Sequence, residues 1–132
     1  MATRKSLHLD TVGAVDAARA LADLVEISPQ IEAAAVMAGD GTVAGAVGVP
    51  EDRADAFARA ARELLERAAA FRSAGVRVTQ IHAAFDGGEV FAVTGADGRI
   101  VVAVVSERTA PGLVFYDLKR CLAAVEEGRV GA

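Results

Sequence analysis

The fold is decided by the stretch PEDRADAFARAARELLERAAAFR, residues 50–72. Its apolar side chains recur every three or four positions, the period of one helix face, at Phe57, Ala61, Leu64, Ala68 and Phe71. Ala54, Ala58 and Leu65 widen this stripe, and charged residues fill the opposite side. Gly75 is the expected stop signal. The stretch therefore predicts one amphipathic helix, the middle helix of the chain.

The contact face of the middle helix is mostly alanine, which allows a close approach to a neighbouring layer but buries little area per residue. Apolar, strand-like runs lie on both sides of it along the chain. A helix that links two β segments has to cross the sheet and pack on one of its faces. We therefore expect the middle helix to cover one face of a β-sheet.

Two short apolar runs precede the middle helix, at residues 31–38 and 42–49, and flank a Gly-Asp-Gly corner at residues 39–41. This pattern is typical of a β-hairpin. Gly45 and Gly48 weaken the second strand, so we expect that strand at an edge of the sheet.

Three further strands follow the middle helix as a meander, at residues 76–85, 89–95 and 99–105. Gly-containing turns join them. The third strand is the most apolar and should be central. The first is the most polar and should lie at an edge, with a bulge near Thr79-Gln80, where its apolar alternation switches.

A first helix is predicted over about residues 12–26, with Asp10 or Thr11 as its cap and Ser28-Pro29 as its end. Its expected apolar stripe is Val15, Ala18, Leu21, Ala22 and Val25.

A last helix is predicted over about residues 110–127, with Thr109 as its cap and Pro111 in its first turn. Its expected buried side is Leu113 or Val114, with Leu118, Cys121, Leu122 and Val125.

The element order α-β-β-α-β-β-β-α predicts an α+β fold with a single five-stranded antiparallel sheet. The middle helix takes one face and the two terminal helices take the other. We expect a single domain over residues 1–132, with loose tails at 1–10 and 128–132. One helix of small residues is too narrow for a face of five strands, so an apolar remainder is expected beside it. Such a remainder usually marks an interface.

Composition narrows the function classes. The chain has 132 residues, of which 53% are hydrophobic and 5% aromatic, with a net charge of −4. A chain of this charge gives no electrostatic case for nucleic-acid binding. Its apolar runs are far shorter than the roughly 20 residues needed to span a bilayer, and its first ten residues do not form a signal peptide. We therefore expect a cytoplasmic protein without membrane insertion.

A search for chemistry gives no convergent acid–base set. His8 and His82 have no metal-like companions in sequence, so a structural or interface role is favoured for His82. Cys121 is expected to be a buried, inert thiol. Ser106 has no G-x-S-x-G context, and Tyr116 is interpreted as a packing residue. We therefore expect no enzyme activity, no cofactor and no metal.

Several local strings resemble one family. They are residues 31–36 leading to the Gly-Asp-Gly corner, the long helix after Pro50, Gly-Gly-Glu-Val at 87–90, and Ser106-Glu107 followed by Gly112. Together with the element order, they resemble the roadblock/dynein light-chain family, including the bacterial members that partner small Ras-like GTPases. The resemblance covers about residues 13–127 and implies a roadblock/longin-like, profilin-like fold.

What the resemblance implies is a non-enzymatic dimeric regulator or scaffold of a small Ras-like GTPase. The dimer would be formed with itself or with a paralogue, with middle helices side by side and meander edge strands paired. Arg59, Arg62 and Arg67 are candidate GTPase contacts, and a solvated helix face is the alternative for each of them. The full set of expected interface residues is Phe57, Ala61, Leu64, Leu65, Ala68, Arg59, Arg62, Val78 and Gln80.

Two alternatives stay open at this point. A five-stranded sheet with flanking helices also suits a small-molecule-binding sensor domain in a bacterial signalling set, although the low aromatic content counts against a ligand pocket. An enzyme of unknown type is the third hypothesis.

Overall fold

The computed structural model describes residues 16–72, 75–106 and 109–131, with side chains as far as Glu126. Several predicted features lie outside this part of the chain: the tail at 1–10 with His8, the caps Asp10 and Thr11, Val15, and Glu107.

The described chain contains three helices and five strands in the predicted order. Their bounds are α1 (residues 16–27), β1 (Ile31–Met37), β2 (Val43–Val47), a short 3-10 turn (Glu51–Arg53), α2 (Ala54–Ala69), β3 (Gln80–Phe85), β4 (Gly88–Thr94), β5 (Ile100–Val105) and α3 (Pro111–Gly131). The middle helix of the sequence analysis is α2.

All five strands form one sheet with the order β2-β1-β5-β4-β3, and every neighbouring pair is antiparallel. The apolar strand β5 is central, and β2 and β3 are the two edges, as the sequence predicts. The predicted hairpins β1–β2 and β3–β4 are also confirmed.

The predicted bulge in β3 is wrong. The strand begins only at Gln80, and its pairing with β4 is regular from Gln80 opposite Val93 to Phe85 opposite Gly88. The side-chain hydroxyl of Thr94 donates to the carbonyl of Val78 (2.7 Å) and ties the preceding segment to β4. The switch in apolar alternation therefore marks the start of the strand.

Helices α1 and α3 pack on the same face of the sheet and enclose the larger core. Phe91 at its centre is fully buried and meets Phe115 of α3 edge to face, with ring centroids 5.3 Å apart. The helices contribute Ala17, Ala20, Leu21, Leu24, Val114, Leu118, Cys121, Leu122 and Val125. This arrangement confirms that the terminal helices share one face.

The opposite face carries a smaller core beneath α2. Ala58, Ala61 and Leu65 of the helix are buried there against sheet residues. The sheet contributes Ala35, Met37, Ala92, Ile100 and Val102. Because the helix contributes two alanines and one leucine, this layer is thin and α2 lies close to the strands.

Two helix faces differ from their predicted positions. In α1 the predicted Ala18 and Ala22 are exposed, whereas Leu24 is buried. The buried face of α1 is therefore shifted by about one residue from the predicted one and includes the larger side chain of Leu24. Helix α2 ends at Ala69, before the predicted stop, and Phe71 beyond it is 91% exposed.

Helix α3 begins at Pro111, as predicted, and turns Val114 to the core while Leu113 stays exposed. The predicted cap is wrong, because the Thr109 hydroxyl is buried and has no hydrogen-bond partner among the described residues. The helix continues to Gly131, so residues 128–131 are helical where a loose tail was predicted.

Gly48 is the position where the fold least tolerates a side chain. Its φ is +72°, and an added Cβ would lie 2.0 Å from the carbonyl oxygen of Glu32. Gly75 has a similar φ of +86° with nothing within 4 Å of an added Cβ, so it is a matched control.

We predict that Gly75→Ala lowers the free energy of unfolding by about 1–2 kcal/mol through its left-handed backbone. Gly48→Ala should cost at least about 2 kcal/mol more, because the clash with Glu32 forces the backbone to move. Urea unfolding followed by circular dichroism measures both. Equal losses would contradict the close approach of the two chain segments.

Candidate interaction surface

Helix α2 covers only part of its face of the sheet, since it packs over β1, β2 and β5. The rest of that face lies on β3 and β4 and carries Ile81, Ala83, Phe85 and Val90, which we call the β3–β4 patch. Ile81 and Val90 are half-buried, and Phe85 is 55% exposed. The apolar remainder expected from the narrow alanine helix is therefore present.

The two flanks of α2 differ in character. Arg62 donates from Nη2 to the carbonyl oxygen of Gly39 (3.0 Å), so its flank faces the β1–β2 turn. Successive residues of a helix are rotated by about 100° around its axis. Phe57, Leu64 and Ala68 therefore lie on the flank of α2 opposite Arg62, and this flank faces the β3–β4 patch. All three are half-buried. This flank and the β3–β4 patch form one apolar surface, which we call the seam.

The predicted interface residues lie in several different places. Ala61 and Leu65 are only 5% and 7% exposed beneath α2, so they fill the contact with the sheet. Arg59 is exposed on the outer side of α2. Half-buried Val78 packs against the smaller core, and exposed Gln80 starts β3. Of the predicted set, Phe57, Leu64 and Ala68 lie on the seam.

Strand β3 is the last strand of the sheet, and within the described chain its outer edge pairs with no other strand. The backbone N–H of Thr94 donates to the carbonyl of Thr79 (3.0 Å). Because such bonds alternate along an antiparallel strand, every second residue of β3 continues the pairing with β4. The intervening residues direct their backbone N–H and C=O groups away from β4, and they are Gln80, His82 and Ala84. The strand contains neither the Pro nor the Lys that often blocks pairing at an exposed edge.

A polar pair lies beside this edge, on the face of α3. The imidazole of His82 stacks on Phe91, with centroids 4.3 Å apart and 8° between the planes. Its Nε2–H donates to Oε2 of Glu89 (2.7 Å). The other carboxylate oxygen, Oε1, is buried and has no hydrogen-bond partner among the described residues. Glu89 was not predicted as a site residue, although it belongs to the string at 87–90 and is a charge at the start of an otherwise apolar strand.

A groove of about 530 Å³ lies on the other flank of α2, beside the β1–β2 turn. Arg59, Arg62 and Asp55 line it together with the turn. Hydrogen bonds from the hydroxyl and backbone N–H of Thr42 hold the pKa of Asp40 below its usual value. Asp40 thus holds the turn through Thr42, and the groove beside it is lined by both arginines and by Asp55.

A second groove, of about 430 Å³, lies between α1 and α3. Its floor includes Leu24 and Cys121, and its rim includes Asp23 and Arg120. Burial, and then the charge of Asp23, raise the pKa of Cys121 to about 12. The thiol is therefore protonated and unsuited to nucleophilic chemistry at neutral pH.

Two other candidates for chemistry were Tyr116 and a metal site. Tyr116 is 58% exposed, and the guanidinium of Arg120 lies 5.9 Å from its ring centroid, so its ring lies at the surface of α3. Within the described side chains, no three His, Cys, Asp or Glu residues are grouped as a metal site.

Comparisons with known proteins agree with this architecture. No family model matches the sequence, and no curated protein matches it. A Roadblock/LC7 domain from Streptomyces avermitilis superposes with a TM-score of 0.71 at 21% identity, covering 80% of this chain and 91% of that one. The gliding protein MglB from Thermus thermophilus superposes with a TM-score of 0.73 at 15% identity, covering 91% and 93%. The chain has the roadblock fold.

The roadblock fold is also related in shape to profilins. LokiProfilin2, solved in a complex with rabbit actin, superposes with a TM-score of 0.54 at 14% identity, covering 82% of this chain and 91% of that one. The expected roadblock and profilin-like architecture is thereby confirmed.

We predict that the Cys121 thiol of the native protein reacts very slowly with Ellman's reagent at pH 8. A pKa of about 12 leaves roughly one thiol in ten thousand ionised at that pH. One full equivalent should react at once in 6 M guanidinium chloride, which is the control. Fast stoichiometric labelling of the folded protein would contradict the buried position of Cys121.

Proposed function

We propose that this protein is a non-enzymatic, dimeric regulator or scaffold of a small Ras-like GTPase in the cytoplasm. The observation that carries the proposal is the seam, an apolar surface that lies directly beside an unpaired edge strand in a roadblock fold. The family resemblance in the sequence supports the same function.

The seam supports self-association on physical grounds. Removing Phe57, Leu64, Phe85 and the neighbouring apolar side chains from water stabilises a complex by about 25 cal/mol per Å² buried. The outward N–H and C=O groups of β3 supply hydrogen bonds to a second strand. The second protomer is another copy of this chain or a paralogue.

The arginine flank supports a separate contact with the GTPase. Arg59 and Arg62 lie on the side of α2 that faces away from the seam, so a dimer leaves them accessible. Charges at the rim of an interface steer association and set its specificity.

In the described part of the chain, no helix is long and apolar enough to cross a bilayer.

The small-molecule sensor remains the second candidate, and the groove between α1 and α3 is the observation that favours it. It predicts a copurified ligand in native mass spectra, which Ala124→Trp in the wall of the groove would displace.

We predict that Leu64→Asp converts the dimer to a monomer while preserving the fold, because Leu64 is half-buried on the seam. Ala56→Asp, on the exposed face of the same helix, is the matched control and should remain dimeric. Light scattering after size-exclusion chromatography gives the mass, and circular dichroism confirms folding. A folded dimeric Leu64→Asp variant would place the seam elsewhere. Leu65→Asp does not serve as a test, since Leu65 is buried and its loss would unfold the protein.

We also predict binding to a Ras-like GTPase of the same genome with a preference for one nucleotide state. Arg59→Glu should weaken this binding about tenfold by reversing a rim charge. Arg19→Glu, exposed on α1 on the opposite face, should leave it unchanged. Titration with GDP-loaded and GTP-analogue-loaded GTPases by biolayer interferometry measures all three proteins. If the protein bound none of these GTPases in either nucleotide state, a Ras-like GTPase would be refuted as its partner.

A further inference from the structure

A buried carboxylate lines the groove between α1 and α3. Asp117 is only 9% exposed, and its Oδ2 accepts a hydrogen bond from the hydroxyl of Ser28, directly after α1. Among the described side chains, Asp117 forms no ion pair with a basic residue. A buried charge without a counter-charge is costly, and a neutral hydrogen-bond donor offsets only part of that cost. The groove therefore favours a positively charged group beside Asp117.

The end of α1 makes the same groove electronegative. The last carbonyl groups of a helix carry a partial negative charge, which basic residues in the last turn stabilise. In α1, two exposed acids, Asp23 and Glu26, occupy this end and line the groove. Two acids and a helix C-terminus thus surround the entrance to the buried carboxylate.

One basic residue borders the groove. Arg120 is exposed on α3, and its guanidinium lies over the ring of Tyr116, 5.9 Å from the ring centroid. Among the described side chains it forms no ion pair with Asp117 or with the two acids of α1. Three carboxylates and one guanidinium leave the lining with a net negative charge.

The rest of the lining is apolar. Ala20, Leu24 and Cys121 are buried in its floor, and Ile27 and Ala124 are exposed at its rim. Apolar walls with a few placed polar groups are typical of small-molecule sites. The groove therefore offers one place for an apolar body and another for a cationic end.

The size of the groove favours a small molecule over a docked protein helix. Its volume of about 430 Å³ lies within the range of about 300–1,000 Å³ that is usual for small-ligand sites. A single helical turn with its side chains, about 10 Å wide and about 5.4 Å long, takes up roughly the same volume. A docked helix of several turns would extend well beyond the groove.

We propose that the groove between α1 and α3 binds a small organic cation, an amine or guanidine with an apolar body, whose charged end pairs with Asp117. The acids at the end of α1 attract the cation, and its apolar body lies over Leu24 and Cys121. The inference rests on the second candidate function, the small-molecule sensor, and names its ligand class. The seam lies on the opposite face of the sheet, so the tests of dimerisation and GTPase binding are separate from those of this groove.

Three probes of one shape test the need for a positive charge. At pH 7 and low ionic strength, 4-phenylbutylamine is a cation, 4-phenylbutan-1-ol is neutral and 4-phenylbutyrate is an anion. We expect the amine to bind the full chain with a dissociation constant on the order of 1 mM or below. The alcohol should bind at least about tenfold more weakly, because it lacks a charge-assisted hydrogen bond to the carboxylate, and the anion more weakly still. NMR titration of isotope-labelled protein measures all three.

An amine that does not bind, or that binds no better than the alcohol, would overturn the proposal. If the amine failed while a synthetic amphipathic helix of leucine and lysine bound the groove, the occupant would be a protein helix and not a small cation. Failure of all these probes in a protein that dimerises and binds a GTPase would refute the groove ligand and leave the proposed regulator standing.

Asp117→Asn removes the charge and keeps an oxygen that can accept from Ser28. It should weaken binding of the amine about tenfold and leave binding of the alcohol unchanged. Asp52→Asn, in the exposed turn before α2, is the matched control and should change neither. Unchanged amine binding by folded Asp117→Asn would contradict the pairing. Asp23→Asn alters an exposed position that the fold does not need, so it gives a second reading, with amine binding about threefold weaker.

A pair of tryptophan variants locates the site. Ala124→Trp fills the groove and should abolish binding of both the amine and the alcohol. Ala123→Trp, at the neighbouring exposed position outside the groove lining, should bind both as the wild type does. Circular dichroism confirms that each variant is folded. Amine binding that persists in Ala124→Trp would show that the cation binds elsewhere and would refute this site.

Discussion

A single helix cannot cover a face of a five-stranded sheet. Helix α2 has 16 residues, which makes it roughly 24 Å long and about 10 Å wide. Five strands spaced by roughly 4.8 Å give a sheet roughly 24 Å across. A helix of this width leaves part of the face uncovered, and the other features of the surface follow from this difference in width.

The position of α2 decides which half is open. Small residues at Ala58 and Ala61 let the helix approach the sheet over β1, β2 and β5, and Arg62 holds its far flank to the β1–β2 turn. The open half then coincides with the edge strand β3. Apolar surface and unpaired backbone groups lie side by side, and these are the two components of a sheet-extending interface. Two helices share the opposite face.

The sequence predicted the element order, the central strand and both edges, since these depend on local apolar content and turn residues. The rotation of each helix about its axis was harder to predict. In α1, apolar residues occupy so many positions that Ala18 and Leu24 gave equally good stripes, and only contact with the sheet favours the larger side chain. Thr109 had the right residue type for a cap, but its hydroxyl is buried without a partner in the described chain. Leu64 and Leu65 are adjacent and chemically identical, so only the rotation of α2 shows that one lies on the seam and the other beneath the helix.

What the sequence by itself determined is a single five-stranded antiparallel sheet with three helices and the presence of an uncovered apolar surface, because apolar periodicity and turn residues set the number and order of the elements. Local strings supplied the resemblance to the roadblock family. Only the tertiary structure decided where that surface lies and which polar groups border it. Glu89 and His82 are seven residues apart and carry no recognisable motif. They meet because the β3–β4 hairpin turns over Asp86 and Gly87, one residue fewer than the predicted turn, and the resulting register places them on neighbouring strands and on one face.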